Sequence, residues 1–166
     1  MFDSPFRHTV GSFAMPLATS NVTRRTFLHS AAATLGSSLT VANAQAFGSA
    51  LASEGFDVLA ESRGYTASHQ VLTRHGELDS GAGAKAADLL EQAGIITNMN
   101  MLPGDTKAMS PSGLRLGVQE LTRVGMGTDE MTDVARFYAR VLLEAEDPAS
   151  VKNDVRDFKS DYQIIR

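Results

Sequence analysis

The 166 residues carry a formal net charge of −4, with 43% hydrophobic and 20% charged side chains and no cysteine. That length and composition suit one ordinary globular domain with a real core. The acidic balance offers no basic footprint for nucleic acid, the lack of Cys excludes disulfides and Cys-ligated zinc, His8, His29, His69 and His75 show no metal-ligand spacing, and no apolar run spans a membrane without polar interruption.

The composition changes near residue 53. From Thr26 to Ser53 there is no formally charged side chain, and the stretch is rich in Ala, Ser, Thr and Leu. This divides the chain into a helical segment, 1–52, and a globular part, 53–166. Within the first segment, Thr23-Arg24-Arg25-Thr26-Phe27-Leu28 matches a twin-arginine export signal. Ala42-Asn43-Ala44 then has the small residues of a cleavage site. Against this, some twenty-two residues precede Thr23, a long lead for a signal.

The second part alternates strand and helix. Phe56 to Leu59 is a short apolar strand. His69 to Thr73 alternates and makes a second. Gly81 to Ala93 is a helix with Ala86, Leu89, Leu90 and Ala93 on one face, stopped by Gly94. Ile95 to Thr97 is a short strand, and Leu102 to Pro111 is a loop. Leu114 to Leu116 is the next strand. Thr128 caps a helix whose stripe is Met131, Val134, Tyr138, Val141 and Leu142. Asp147-Pro148 opens a last helix, with Val151, Val155, Phe158 and Tyr162 inward. The pattern predicts an α/β fold: a short sheet with helices over one face. Met99, Met101, Met109, Met126 and Met131 read as core or interface filler.

The most informative run is Ser112-Gly113-Leu114-Arg115-Leu116-Gly117-Val118-Gln119-Glu120-Leu121-Thr122-Arg123. Leu114 and Leu116 share one strand face, and Arg115 points to the other. Gly113 and Gly117 remove side chains on either side of it. A guanidinium so placed needs a partner, and its planar fork of donors suits a carboxylate. That carboxylate is either a ligand's or a nearby Asp or Glu. Glu120 is the candidate within the run, with Arg123 as its other partner. Asn98 and Asn100 read as residues capping the backbone before Pro103.

Ser112 to Arg123 resembles the Ser-Gly-Ile/Leu-Arg-hydrophobic-Gly-Thr-x-x-Leu-Thr-x-x-Gly motif of the serine hydroxymethyltransferase family, which are fold-type I pyridoxal-phosphate (PLP) enzymes. Other pieces follow in the family's order. Thr66 to Leu72 is similar to its Thr-x-x-His-x-hydrophobic-Leu strand, and Gly94 to Pro103 to its Gly-Ile-x-x-Asn-x-Asn-x-Ile-Pro segment. Met126 to Met131 is similar to its Gly-hydrophobic-x-x-x-Glu-Met helix entry. Phe6 to Phe13 resembles the segment before its interdomain helix, and Val41 to Leu51 the end of the next helix.

The resemblance implies a short, mostly antiparallel sheet covered by helices: the small C-terminal domain of such an enzyme. It implies that Arg115 grips an amino-acid carboxylate, from glycine, serine or threonine. It places Gly11 and Ser12 at the cofactor phosphate of a partner subunit, and His69 at the edge of the cofactor pocket. It implies a cytoplasmic homo-oligomer when complete, the alternative being periplasmic export by the twin-arginine route. The run departs from the family at Val118-Gln119-Glu120, where Thr-Pro-Ala is usual, and is closer there to threonine transaldolases and alpha-methylserine hydroxymethyltransferases. The family's Thr-Thr-x-His-Lys segment, with its PLP lysine, is not among these residues, and Lys85, Lys107, Lys152 and Lys159 have other contexts. The 166 residues are therefore expected not to bind PLP or catalyse by themselves. A chain supplying the large domain is the expected partner. The alternative is a non-enzymatic fragment, a split-enzyme subunit or an exported binding domain.

Overall fold

The structure, a computed structural model, describes residues 21–162, with side chains from Ser38 onward. The chain divides after Ala33 into two compact units, and the second, from Thr34 on, holds the sheet and the core. Helix α1 (Asn21–Glu54) begins in the first unit. In the second, Asn43, Ala44, Phe47 and Leu51 lie on one stripe and are buried. Gly55 ends the helix at φ +105°. Its N–H reaches Ala52 O, and the Phe56 N–H reaches Leu51 O, both at 3.0 Å. This is a Schellman closure, and Leu51 and Phe56 are both buried beside it.

Four strands follow: β1 (Asp57–Val58), β2 (Gln70–Arg74), β3 (Asn98–Asn100) and β4 (Gly113–Gly117). They form one antiparallel sheet in the order β1-β2-β4-β3. The helices after α1 are α2 (Ala82–Gln92), α3 (Gln119–Arg123), α4 (Glu130–Leu142) and α5 (Pro148–Ser160). Val71, Thr73, Leu114 and Leu116 point inward and are buried. Phe47, Leu90, Met131 and Val151 belong to the same core, and the Phe47 ring meets Tyr138 edge-on at 5.5 Å. Among the described residues this is the expected α/β domain, with five helices and a small antiparallel sheet.

Two expectations need correction. The third strand is Asn98–Asn100, not Ile95–Thr97. Gly94 does end α2, at φ +78°, but the closure takes the Ile95 N–H for Leu90 O at 2.8 Å. Ile95 is spent on the helix end, so the ladder starts later. Nor does Thr128 cap α4. The flanking residue is Asp129, without a side-chain cap, and Glu130 Oε2 instead accepts the Gly127 N–H at 2.7 Å. At the last helix Asp147 is the cap, accepting from Ala149 N at 3.2 Å with Pro148 behind it, as the sequence predicts.

Two close approaches fix the layers. A Cβ at Gly83 would collide with the Gly113 carbonyl, so the start of α2 lies directly on β4. Asn43 is fully buried, and its Nδ2 donates to Thr122 Oγ1 at 2.9 Å and to Met126 O at 3.0 Å. Thr122 Oγ1 in turn donates to Val118 O at 2.9 Å. One amide thus ties α1 to the C-terminal end of α3 and the segment that follows it. Asn43→Ala should lose about 1–3 kcal/mol of stability, because Met126 O is then left buried without this donor. Urea unfolding measures it, and a change of only a few tenths would show that α3 is held by packing alone.

Candidate functional site

Strand alternation and register build the open face of the sheet. Arg115 is the middle residue of β4 and is exposed, while Leu114 and Leu116 are buried. Opposite it stand Leu72 on β2 and Asn98 on β3. Directly paired residues share a face, so these three side chains lie together. Gly113 and Gly117 flank Arg115 on that face. The Leu102 side chain occupies the space a Cβ at Gly113 would take, and Leu102 is buried there.

Arg115 makes no ion pair among the described residues. Glu120 is engaged elsewhere: Arg123 Nε donates to its Oε2 at 2.8 Å and Nη2 to its Oε1 at 2.6 Å. Hydrogen bonding from Arg123 holds the Glu120 carboxyl below its ordinary range. Of the two partners open to Glu120 in the sequence, the structure selects Arg123. The reason is the short helix α3, which sets the two residues three apart on one face. The Arg115 fork is left without an ionic partner among the described residues.

The other candidates fall in different places. Asn100 caps backbone as expected, its Nδ2 donating to Met101 O at 2.6 Å. Asn98 does not: it sits in β3 across from Arg115, and its amide has no hydrogen-bond partner among the described residues. His69 is exposed just before β2, and its carbonyl accepts the Val118 N–H at 3.1 Å. The alternation sets it with Val71 and Thr73 rather than with Arg115. Gly11 and Ser12 lie outside the described residues.

Two carboxylates missed in the sequence shape the loop beside the site. Asp105 Oδ1 accepts from Asp79 N at 2.7 Å. Its Oδ2 accepts from Leu102 N at 2.8 Å, Ser112 N at 3.0 Å and Ser112 Oγ at 2.8 Å. Asp79 replies through Thr106 N and Lys107 N, both at 2.7 Å, and the Thr106 hydroxyl at 2.6 Å. Together they knot residues 101–112 against the 79–81 turn and fix the approach to β4. Each Asp stands in turn chemistry, Asp79-Ser80-Gly81 and Pro103-Gly104-Asp105, which is the signal that was legible. Their pairing across 26 residues was not.

The cofactor question turns on the lysines. Lys85, Lys107, Lys152 and Lys159 are all exposed, and none belongs to a strand of the sheet that carries Arg115. Among the described residues, the sheet that carries Arg115 thus holds no amine that could form a Schiff base with PLP.

Fold and face together define the small C-terminal domain of a fold-type I PLP enzyme. The serine hydroxymethyltransferase family matches residues 3–138. The chain belongs to that family, whose members are PLP-dependent. It is 56% identical over 127 residues to a serine hydroxymethyltransferase of Thermococcus kodakarensis, covering 75% of this chain and 30% of that one. It is 52% identical over 126 residues to one of Pyrobaculum neutrophilum, covering 76% and 29%. An L-threonine transaldolase from Pseudomonas fluorescens superposes with a TM-score of 0.67 at 31% identity, over 76% of this chain and 28% of that one. The chain thus spans about 30% of the length of the curated relatives it matches. Among the described residues no helix is long and apolar enough to cross a membrane.

The carboxylate knot predicts an acid sensitivity. The Thr106 hydroxyl and the Lys107 N–H are the main causes holding Asp79 below the ordinary carboxylate range. Burial pushes Asp105 up, yet the N–H groups of Leu102, Asp79 and Ser112 and the Ser112 hydroxyl outweigh it and hold it well below that range. Both folded values are depressed. Their stabilisation is therefore complete above the unfolded value of about 3.9 and is lost as pH falls through the folded values. Asp105→Asn should flatten the loss of stability on acidification below about pH 4. Urea midpoints at pH 6 and pH 3 check this, and an unchanged difference between them would clear Asp105 of the role.

Proposed function

We propose that this chain forms the substrate-carboxylate wall of a PLP-dependent enzyme acting on the Cα–Cβ bond of glycine, serine or threonine-like amino acids. The observation that carries the reading is Arg115, exposed and unpaired on the open face while the nearby Glu120 is taken by Arg123. In such enzymes the cofactor supplies the chemistry and the protein supplies orientation. The part of Arg115 is a two-pronged grip on the carboxylate. Residues 1–52 then act as the helical link to the large domain and 53–166 as the small domain. Gly11 and Ser12 serve the cofactor phosphate of a partner subunit, and His69, which lies off the Arg115 face, serves the edge of the cofactor pocket from its own side. By themselves the 166 residues are expected not to catalyse, since none of their four lysines has the context of the family's PLP lysine.

Arg115→Ala separates this from a structural role. In the isolated chain it should change stability by no more than roughly 1 kcal/mol, as at surface positions. In an assembly with the large domain it should weaken amino-acid binding by about 1.5–3 kcal/mol for each charge-assisted hydrogen bond removed. A loss of several kcal/mol in the isolated chain would mark a buried ion pair and end the carboxylate assignment.

A second reading, export through the twin-arginine motif, meets a specific obstacle. Asn43 and Ala44, at the would-be cleavage site, are buried in the core, and Asn43 holds α3. Cleavage there would cut the domain's own helix. We favour a cytoplasmic protein that keeps this segment. Mass spectrometry of the native chain, after incubation with PLP and borohydride, should find residues 1–44 attached and no stoichiometric adduct at any one lysine. A chain starting near Gln45 would reverse the localisation, and a single modified lysine would reverse the reading of the cofactor.

A further inference from the structure

The open face holds a group that a carboxylate grip does not use. Gly117 follows Arg115 by two residues and shares its face. An ideal Cβ at Gly117 would lie 2.5 Å from Gln119 Oε1 and 3.2 Å from its Cδ and Nε2. The Gln119 carboxamide therefore fills the space that a side chain at position 117 would take. Gln119 is exposed at the start of α3, and its carboxamide makes no hydrogen bond among the described residues. The far end of the same face, over Gly113, is closed by apolar Leu102. Arg115 thus stands between a blank apolar end and an amide with donor and acceptor both unspent.

We infer that Gln119 is a specificity-determining residue that reads a hydroxyl on the substrate's Cβ, and that Gly117 is the glycine that lets it lie over the strand. The inference rests on Arg115 holding the carboxylate. Two residues along a strand span roughly 6.6 Å. An amino acid held at its carboxylate by the long Arg115 side chain has its β-substituent within reach of an amide that far along. The amide is neutral and both donates and accepts, as a hydroxyl does. It makes no demand for a charged substituent, and an amino acid without the hydroxyl, such as L-alanine, offers it no partner.

Nitrogen-15 NMR titration of the full 166-residue chain tests this, following Arg115 Nε–H and the Gln119 side-chain NH2 as L-serine or L-alanine is added. Both amino acids should move Arg115, and L-serine alone should move Gln119. L-serine should bind about 2- to 10-fold more tightly, the size of one net neutral hydrogen bond. Gln119→Leu should abolish that preference. Gly117→Ala should do the same by forcing the carboxamide off the strand. If neither amino acid moves Arg115, the carboxylate reading fails and this inference fails with it. If both move Arg115 but bind alike, or if Gln119→Leu keeps the preference, the Gln119 assignment alone is overturned.

Discussion

The buried amide of Asn43 is the constraint on which the site depends. It reaches Thr122 Oγ1 and Met126 O, and through Thr122 the carbonyl of Val118. Val118 is the residue that turns β4 into α3. Its own N–H bonds His69 O, just ahead of β2. A single side chain on α1 thus holds the end of the helix that follows β4 and, through Thr122, is linked to the residue where that helix begins. Replacing that amide by an apolar group removes donors from groups that water cannot reach. The helix also supplies Phe47 and Leu51 to the core. Through these residues the uncharged stretch that ends in α1 and the charged α/β part share one hydrophobic cluster despite their different compositions.

Beyond that link, backbone proximity does more to shape the open face than charge does. Three positions of β4 point outward, and two of them are glycine. Leu102 lies over one and Gln119 over the other, which leaves Arg115 between two side chains brought in from outside the strand. The charges cluster elsewhere. Arg136 bridges Glu54 and Glu144, and Arg140 bridges Glu146 and Asp154. These pairs join α1, α4, α5 and the turn between the last two helices. All of them keep contact with solvent, so each adds little. These carboxylates are taken by Arg136 and Arg140, while Arg115 on the sheet has no ion pair among the described residues.

Loop 101–112 shows how a site can be held without apolar packing. Most of its side chains are exposed. Two carboxylates collect its N–H groups and hydroxyls instead, and so satisfy backbone groups that would otherwise face solvent loosely. Ser112 belongs to this knot through both its N–H and its hydroxyl. The serine that opens the Arg115 motif thus anchors the loop to the strand.

Much of this was written in local sequence. Gly94 ends its helix because only a residue at ease with positive φ closes it, and Asp147-Pro148 starts the last one for equally local reasons. The outward aim of Arg115 follows from alternation between Leu114 and Leu116, and the family from the ordered motifs around it. Tertiary structure decided the rest, because it depends on residues far apart in the chain. Ile95 left the sheet when its N–H closed the preceding helix, so β3 moved to Asn98 and set that residue opposite Arg115. His69 fell on the other side of the alternation. Asp79 and Asp105, each an ordinary turn residue when read alone, became one knot only when the loop folded back. Gln119 reached the space over Gly117 because α3 begins immediately after the strand, a turn that Asn43, 76 positions earlier, holds in place.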